Sequence, residues 1–280
     1  MDTLSSGQLA TPPPFRGGLL VKGAFMKNVV AGLALALTLP VAMADTATAR
    51  LSNLAISVVD LDTTDTHVPS PAWSQNVGRS ELSYIVPGQS PTNLGRDLSG
   101  APDTLGLERP GASIAAEADW AEGLLEATAD VTTAGAAYAA FTSRDIKAPG
   151  LLFLIPPKTS VTLSADAFLS AATDYLCASS CFGASAFAGL NLTVGSRQLN
   201  DAIEVSAGAG TTFDTLSRQL TLTYSNTTGE AQWATLSASV EIAGEVVPVP
   251  EPESYALMGL GLVGLMLHRA RKARQAQAQA

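Results

Sequence analysis

Gln219-Leu220-Thr221-Leu222-Thr223-Tyr224, then Asn226-Thr227-Thr228-Gly229, then Gln232 to Ile242 carry the clearest structural signal in this chain. Successive side chains of a strand point to opposite faces, so Leu220 and Leu222 share one face while Thr221 and Thr223 share the other. The second run repeats the pattern over a longer span. Ala234, Leu236, Ala238, Val240 and Ile242 fall on one side, and Thr235, Ser237, Ser239 and Glu241 on the other. With a glycine-containing turn between them, the two runs predict an antiparallel hairpin.

Working outward, the same alternation occurs from Thr159 to Ala167, with Val161, Leu163 and Ala165 on one face. Further strands are expected at Arg50 to Asp60, Glu81 to Val86, Ser113 to Trp120, Leu125 to Thr132 and Ala136 to Thr142. Three more are expected at Leu151 to Ile155, Ser185 to Val194 and Ala202 to Ser206. Closely spaced strands without long helical intervals predict an all-β class, an antiparallel β-sandwich or jelly-roll-like domain over residues 45–247. Ile114 to Asp130 is rich enough in Ala and Glu to admit a helix, and the strand reading is preferred narrowly. Residues 62–110 are rich in Pro, Ser, Thr and Gly and read as mostly loop. Aromatic residues are only 6% of the chain, so the core must be built from small side chains.

Beyond the domain, Pro248, Pro250 and Pro252 fix their own φ and lack the backbone donor, which holds the chain extended. Then come Glu253-Ser254, an apolar run from Tyr255 to Leu267 and the basic residues Arg269, Arg271, Lys272 and Arg274. The order of Val249-Pro250-Glu251-Pro252, apolar run and basic end resembles the PEP-CTERM sorting tail of Gram-negative bacteria. The resemblance covers residues 248–274, and residues 275–280 read as a disordered end. It implies that the chain is a substrate of exosortase, a membrane-embedded cysteine transpeptidase of bacteria that make extracellular polysaccharide. Thirteen helical residues span only about 20 Å, less than a bilayer's hydrocarbon core of about 30 Å. The run therefore reads as a marginal, removable helical anchor, with the basic end as a cytoplasmic stop. An ordinary terminal core helix or a permanent tail anchor is the alternative.

The other end agrees. Met26-Lys27-Asn28 opens a positive segment, Val29 to Leu39 is apolar, and Ala42-Met43-Ala44 is the small-residue pattern that signal peptidase accepts. Residues 26–44 read as a signal peptide cut after Ala44, with a second acceptable site after Ala49. Residues 1–25 fit no secretory pattern and read as a non-native or mis-assigned extension. Between residues 45 and 253 there are nine Lys and Arg against 24 Asp and Glu, a net charge of −15. Such a surface repels nucleic acid and anionic lipid, so nucleic-acid binding is set aside.

Catalytic chemistry is hard to assemble. His67 is the only histidine of residues 45–253, and no nucleophile-elbow, zinc-helix or phosphate-loop pattern occurs, so the reading is a non-enzyme without cofactor. Paired carboxylates of a glycosidase kind are available in number but not in readable spacing. Asp60, Asp62 and Asp65 offer three oxygen ligands for calcium but lack the glycine and terminal glutamate of an EF-hand loop, so a solvated turn is preferred. Cys177 and Cys181, the only two cysteines, form a candidate disulfide in an oxidising compartment, with free thiols as the alternative. Closing so short a loop stabilises by only about 2 kcal/mol. Trp120 and Trp233 lie in strand patterns and are read as half-buried packing. Trp73, in a loop, is the candidate sugar contact. Two functions follow: a non-catalytic protein of the cell surface or extracellular matrix, or a carbohydrate-binding module or adhesin. Signal peptidase and exosortase are the expected partners in export, the membrane holds the C-terminal helix before processing, and extracellular polysaccharide is the expected neighbour.

Overall fold

A computed structural model of the protein describes residues 44–64, 75–98, 102–119, 121–147, 153–174, 183–208, 210–247, 258–266 and 268–269. Two compact units emerge, one spanning Ala42–Val249 and the other comprising the two chain ends. The first unit is all-β. Its strands are β1 (Asp45–Asp60), β2 (Gln75–Ile85), β3 (Thr92–Leu98), β4 (Asp103–Arg109), β5 (Ala112–Asp119), β6 (Leu124–Val131) and β7 (Ala137–Lys147). They continue as β8 (Phe153–Ile155), β9 (Thr159–Thr173), β10 (Ser185–Val194), β11 (Arg197–Ser206), β12 (Phe213–Asn226) and β13 (Gln232–Glu245).

Two antiparallel sheets result. The first runs β12-β9-β1-β6-β5-β4 and the second β11-β10-β13-β7-β2-β3, with β8 paired to β13. Their inner faces meet in one core of small and branched residues, including Leu51, Ile114, Leu125, Phe153, Leu163 and Ile242, all fully buried. Alanine fills much of the rest, as the low aromatic content requires. Each lateral seam carries an Arg–Asp pair. Arg218 of β12 reaches Asp201 of β11 at one seam. At the other, Arg96 of β3 holds both carboxylate oxygens of Asp103 of β4, at 2.7 and 3.0 Å.

The expected hairpin does not exist. β12 pairs with β9 in the first sheet, whereas β13 pairs with β10, β7 and β8 in the second. Asn226-Thr227-Thr228-Gly229 is therefore an arch between sheets. Both strands keep the alternation read from the sequence, but their apolar faces oppose one another across the core. Asn226, fully buried, holds the arch: its Nδ2 donates to the carbonyls of Ile155, Pro156 and Glu230 at 3.3, 2.9 and 2.8 Å. Its Oδ1 accepts from the backbone N–H and the hydroxyl of Thr228 at 3.2 and 2.6 Å. One side chain thus replaces the inter-strand bonds that a hairpin turn would have made.

Residues 62–110 also need correction, since they contain β2, β3 and β4. In β3 only Leu98 is buried, because this edge strand meets one neighbour and Asn93, Gly95 and Asp97 stay in solvent. In β4 the signal is Leu105 and Leu107 with exposed Gly106 between them, too short to register as a period. Ile114 to Asp130 resolves as β5 and β6, a strand pair joined through residues 120–123. β1 is longer than expected and changes phase. Ala47, Ala49 and Leu51 face inward before Asn53, and Leu54, Ile56 and Val58 after it. The switch is a bulge in the β1–β9 ladder, where Asn53 takes φ 54° and donates from Nδ2 to Asp166 at 2.8 Å. Asparagine tolerates this backbone region better than most residues.

In the second unit, residues 258–266 and 268–269 are helical. No helix among the described residues is long and apolar enough to cross a membrane.

Candidate functional site

The residues singled out from the sequence are scattered. Val249-Pro250-Glu251-Pro252, Arg271, Lys272, Arg274, Ala42, Asp65, Trp73, Trp120, His67, Cys177 and Cys181 lie outside the described residues. Arg269 is exposed on the helical segment. Asp60 and Asp62 are engaged in turn geometry. Asp60 accepts from the backbone N–H of Asp62 at 2.8 Å, and Asp62 accepts the hydroxyl and N–H of Thr64 at 2.5 and 3.2 Å. Those bonds hold the Asp62 carboxyl below its usual range. No group of three or more potential metal ligands occurs among the described residues.

Trp233 departs from its expected packing. It lies on the outward face of β13 and is 55% exposed. The reason is register: the β10–β13 ladder ends at Val194 opposite Ala234, so Trp233 projects past β10 with Leu154 of β8 across from it.

Ala44 stands at the entrance of β1, its N–H donating to Asp174 Oδ2 at 3.1 Å and its carbonyl accepting the Asp174 N–H at 3.2 Å. Next to it, Asp45 is only 2% exposed, and burial pushes its pKa up to about 6, against the lowering effect of a Thr173 hydrogen bond and with the Asp174 charge adding to the rise. The Tyr138 hydroxyl shares this polar nook. Burial and then the Asp45 charge push its pKa up, and neither Asp45 Oδ2 nor Tyr138 Oη finds a hydrogen-bond partner among the described residues. The tyrosine ring lies over Gly244, where an added Cβ would come within 2.4 Å of its oxygen.

The outward face of the second sheet holds an arrangement that sequence reading missed. Register places Glu81 of β2 opposite Phe141 of β7, Phe141 opposite Glu241 of β13, Glu241 opposite Phe187 of β10, and Phe187 opposite Glu204 of β11. One straight row therefore reads Glu-Phe-Glu-Phe-Glu across five strands. The row beside it consists of small residues, Ser83, Ala139, Ala243, Ser185 and Ser206, and forms a trough. Two depressions, of about 570 and 500 Å³, lie along row and trough, one over Glu81, Ala139, Phe141 and Glu241, the other over Ser185, Glu204, Ser206 and Ala243. Arg79 pairs with Glu81, whereas Glu241 and Glu204 have no ion-pair partner among the described residues. The signal in the sequence was present only as outward parity. Phe141 and Phe187 occupy positions where alternation predicts polar side chains.

Fold and tail together define a class, a two-sheet antiparallel β domain followed by a short C-terminal sorting segment. The family model of the PEP-CTERM protein-sorting motif matches residues 248–272, and the chain carries that motif. The motif implies an exported protein with an exosortase as its processing partner, and membrane-anchored processing before surface display. No curated protein and no solved structure matches the chain.

Proposed function

We propose that the chain is a non-catalytic protein of the cell surface or extracellular matrix, delivered by a signal peptide cut after Ala44 and released from its tail near the Pro-Glu-Pro motif. The carrying observation is the sorting motif at residues 248–272, which begins directly after the last described residue of the β domain, Val247. The start of the fold supports the N-terminal half of the reading. A cut after Ala44 leaves β1 whole, whereas a cut after Ala49 would remove five residues that pair with both β6 and β9. Ala47 and Ala49 among them are buried, so the second site costs the domain part of a central strand. Intact-mass analysis of protein recovered from membrane, surface and medium fractions of the native host tests both ends. An N-terminus at Asp45 and a C-terminus between Glu251 and Ser254 outside the membrane is the expected result; a full tail retained in every fraction overturns the sorting reading.

A second reading, a carbohydrate-binding module or adhesin, is favoured by one observation. The carboxylate and phenyl row on the second sheet combines acceptors for sugar donors with flat apolar surfaces. The test is co-sedimentation of the full chain with isolated native matrix, where recovery in the soluble fraction alone counts against binding.

A further inference from the structure

We infer that the outward face of the second sheet is a binding site for an extended linear polysaccharide bearing protonated amino groups, lying across the strands along the Glu81–Phe141–Glu241–Phe187–Glu204 row. The inference rests on the carbohydrate-binding reading and names its site and ligand class.

Three observations carry it. The first is the repeat. Neighbouring strands lie about 4.8 Å apart, so like groups in the row recur every second strand, at about 9.6 Å. That is comparable with two pyranose rings joined end to end in an extended chain. Every disaccharide then meets one phenyl ring and one carboxylate in the same relative places. An extended peptide laid in the same direction repeats its same-face side chains at about 6.6 Å and falls out of step after one unit.

The second is the platform. An added Cβ on Gly189 would meet Phe187 Cζ at 2.9 Å and Cε1 at 3.1 Å, so the ring lies down over the glycine two residues along its own strand. A ring held flat on a sheet presents its π-face outward, where the apolar face of a sugar or an ammonium group makes its best contact. The neighbouring small-residue row leaves room for the chain beside it. Ser83 donates to Asn93 Oδ1 at 2.9 Å and Ser185 donates to the Ala243 carbonyl at 3.1 Å, so two of the trough's three hydroxyls are already engaged.

The third is charge. Residues 45–253 carry a net −15, which disfavours any anionic polymer. Glutamate only accepts hydrogen bonds and phenylalanine offers none, so Glu241 and Glu204, on either side of Phe187, leave their oxygens open to donors from water or from a ligand. Protonated amines on a sugar chain supply the donors and the opposite charge together.

The test is isothermal titration of the full chain in mild detergent with chitosan hexasaccharide, cellohexaose and oligolysine. The expected result is chitosan binding that weakens with salt, falls roughly tenfold in Glu241→Gln, as loss of one charge-assisted hydrogen bond predicts, and falls again in Glu241→Gln/Glu204→Gln. Phe187→Ala and Gly189→Val, which lifts the ring, should reduce it as well; should either fail to fold, the glutamine variants still decide. Chitosan binding unaltered in the double glutamine variant overturns this site while leaving a carbohydrate-binding protein with its contact elsewhere. Equal binding of cellohexaose, insensitive to the glutamine substitutions, overturns the amino-sugar class. Tighter binding of oligolysine than of chitosan overturns the glycan in favour of a basic peptide. Absence of chitosan binding overturns the site, while the carbohydrate-binding reading then stands or falls on co-sedimentation with native matrix.

Discussion

On the outward face of the first sheet, hydroxyls meet hydroxyls across the β9–β12 ladder. Ser160 lies 3.0 Å from Ser225 and Thr162 3.0 Å from Thr223. On the outward face of the second sheet, carboxylates meet phenyl rings across the β7–β13–β10 ladders. The difference is one of self-sufficiency. A hydroxyl both donates and accepts, so the opposed Ser and Thr of these pairs satisfy each other, with Phe168 the exposed apolar exception further along β9. A carboxylate and a phenyl ring can do nothing for each other's hydrogen bonding, so that face stays chemically open. The hydroxyl pairs of the β9–β12 ladder thus complete themselves, whereas the carboxylate and phenyl row of the second sheet takes its hydrogen bonds from solvent or from a ligand.

Five substitutions break or sharpen that contrast. Phe153→Ala empties a fully buried site beneath both faces and should cost about 3–5 kcal/mol. Thermal and urea unfolding of the full chain measure it, and loss of a single shared transition shows that the two faces stand on one core. Asp45→Asn addresses the entrance of β1. The Asp45 pKa is raised in the folded state to about 6, so its protonated form stabilises the fold below about pH 4 and that stability is lost as pH rises towards 6. By the size of the shift the loss amounts to about 3 kcal/mol at most. In the uncleaved chain, the melting temperature of Asp45→Asn should exceed wild type at pH 8 and converge on it near pH 4. A constant difference across this range would remove the buried-acid account.

Asn226→Ala leaves the carbonyls of Ile155 and Pro156 and the Thr228 N–H at the arch without their Asn226 partner, while the Thr228 hydroxyl keeps the Glu230 carbonyl, and should cost about 2 kcal/mol. If denaturant unfolding shows no change, the arch is not what holds the two sheets in register. The smallest effects test the faces directly. Thr162→Val breaks a hydroxyl pair and should cost about 1 kcal/mol, while Glu241→Gln should stay within about 0.5 kcal/mol of wild type. Equal costs would mean that the two faces are alike in stability and that the contrast between them is only one of composition.

The pairings tested by Asn226 and Glu241 were not legible in the sequence, although the strands bearing them were. Alternation around Leu220, Leu222 and the run from Ala234 to Ile242 reports which side chains share a face, and both strands keep that pattern. It is silent on which strand lies alongside, and proximity in sequence suggested a hairpin where the structure has an arch. The edge strand β3 was invisible for a related reason: it is nearly all exposed, so it has no buried face to imprint a period. The phase change at Asn53 escaped because one inserted residue swaps inward for outward without altering composition. Trp233 was misplaced because its exposure follows from where the neighbouring strand stops.

By itself the sequence determined the all-β class, the alternating faces and the sorting tail at residues 248–272, because each depends on residues close together in the chain. Only the tertiary structure decided which strands are neighbours, where Asp45 is buried and how Glu81, Phe141, Glu241, Phe187 and Glu204 line up. These residues come from five separate strands, and their alignment rests on hydrogen-bond register between segments up to about a hundred residues apart, a non-local quantity that no periodicity records.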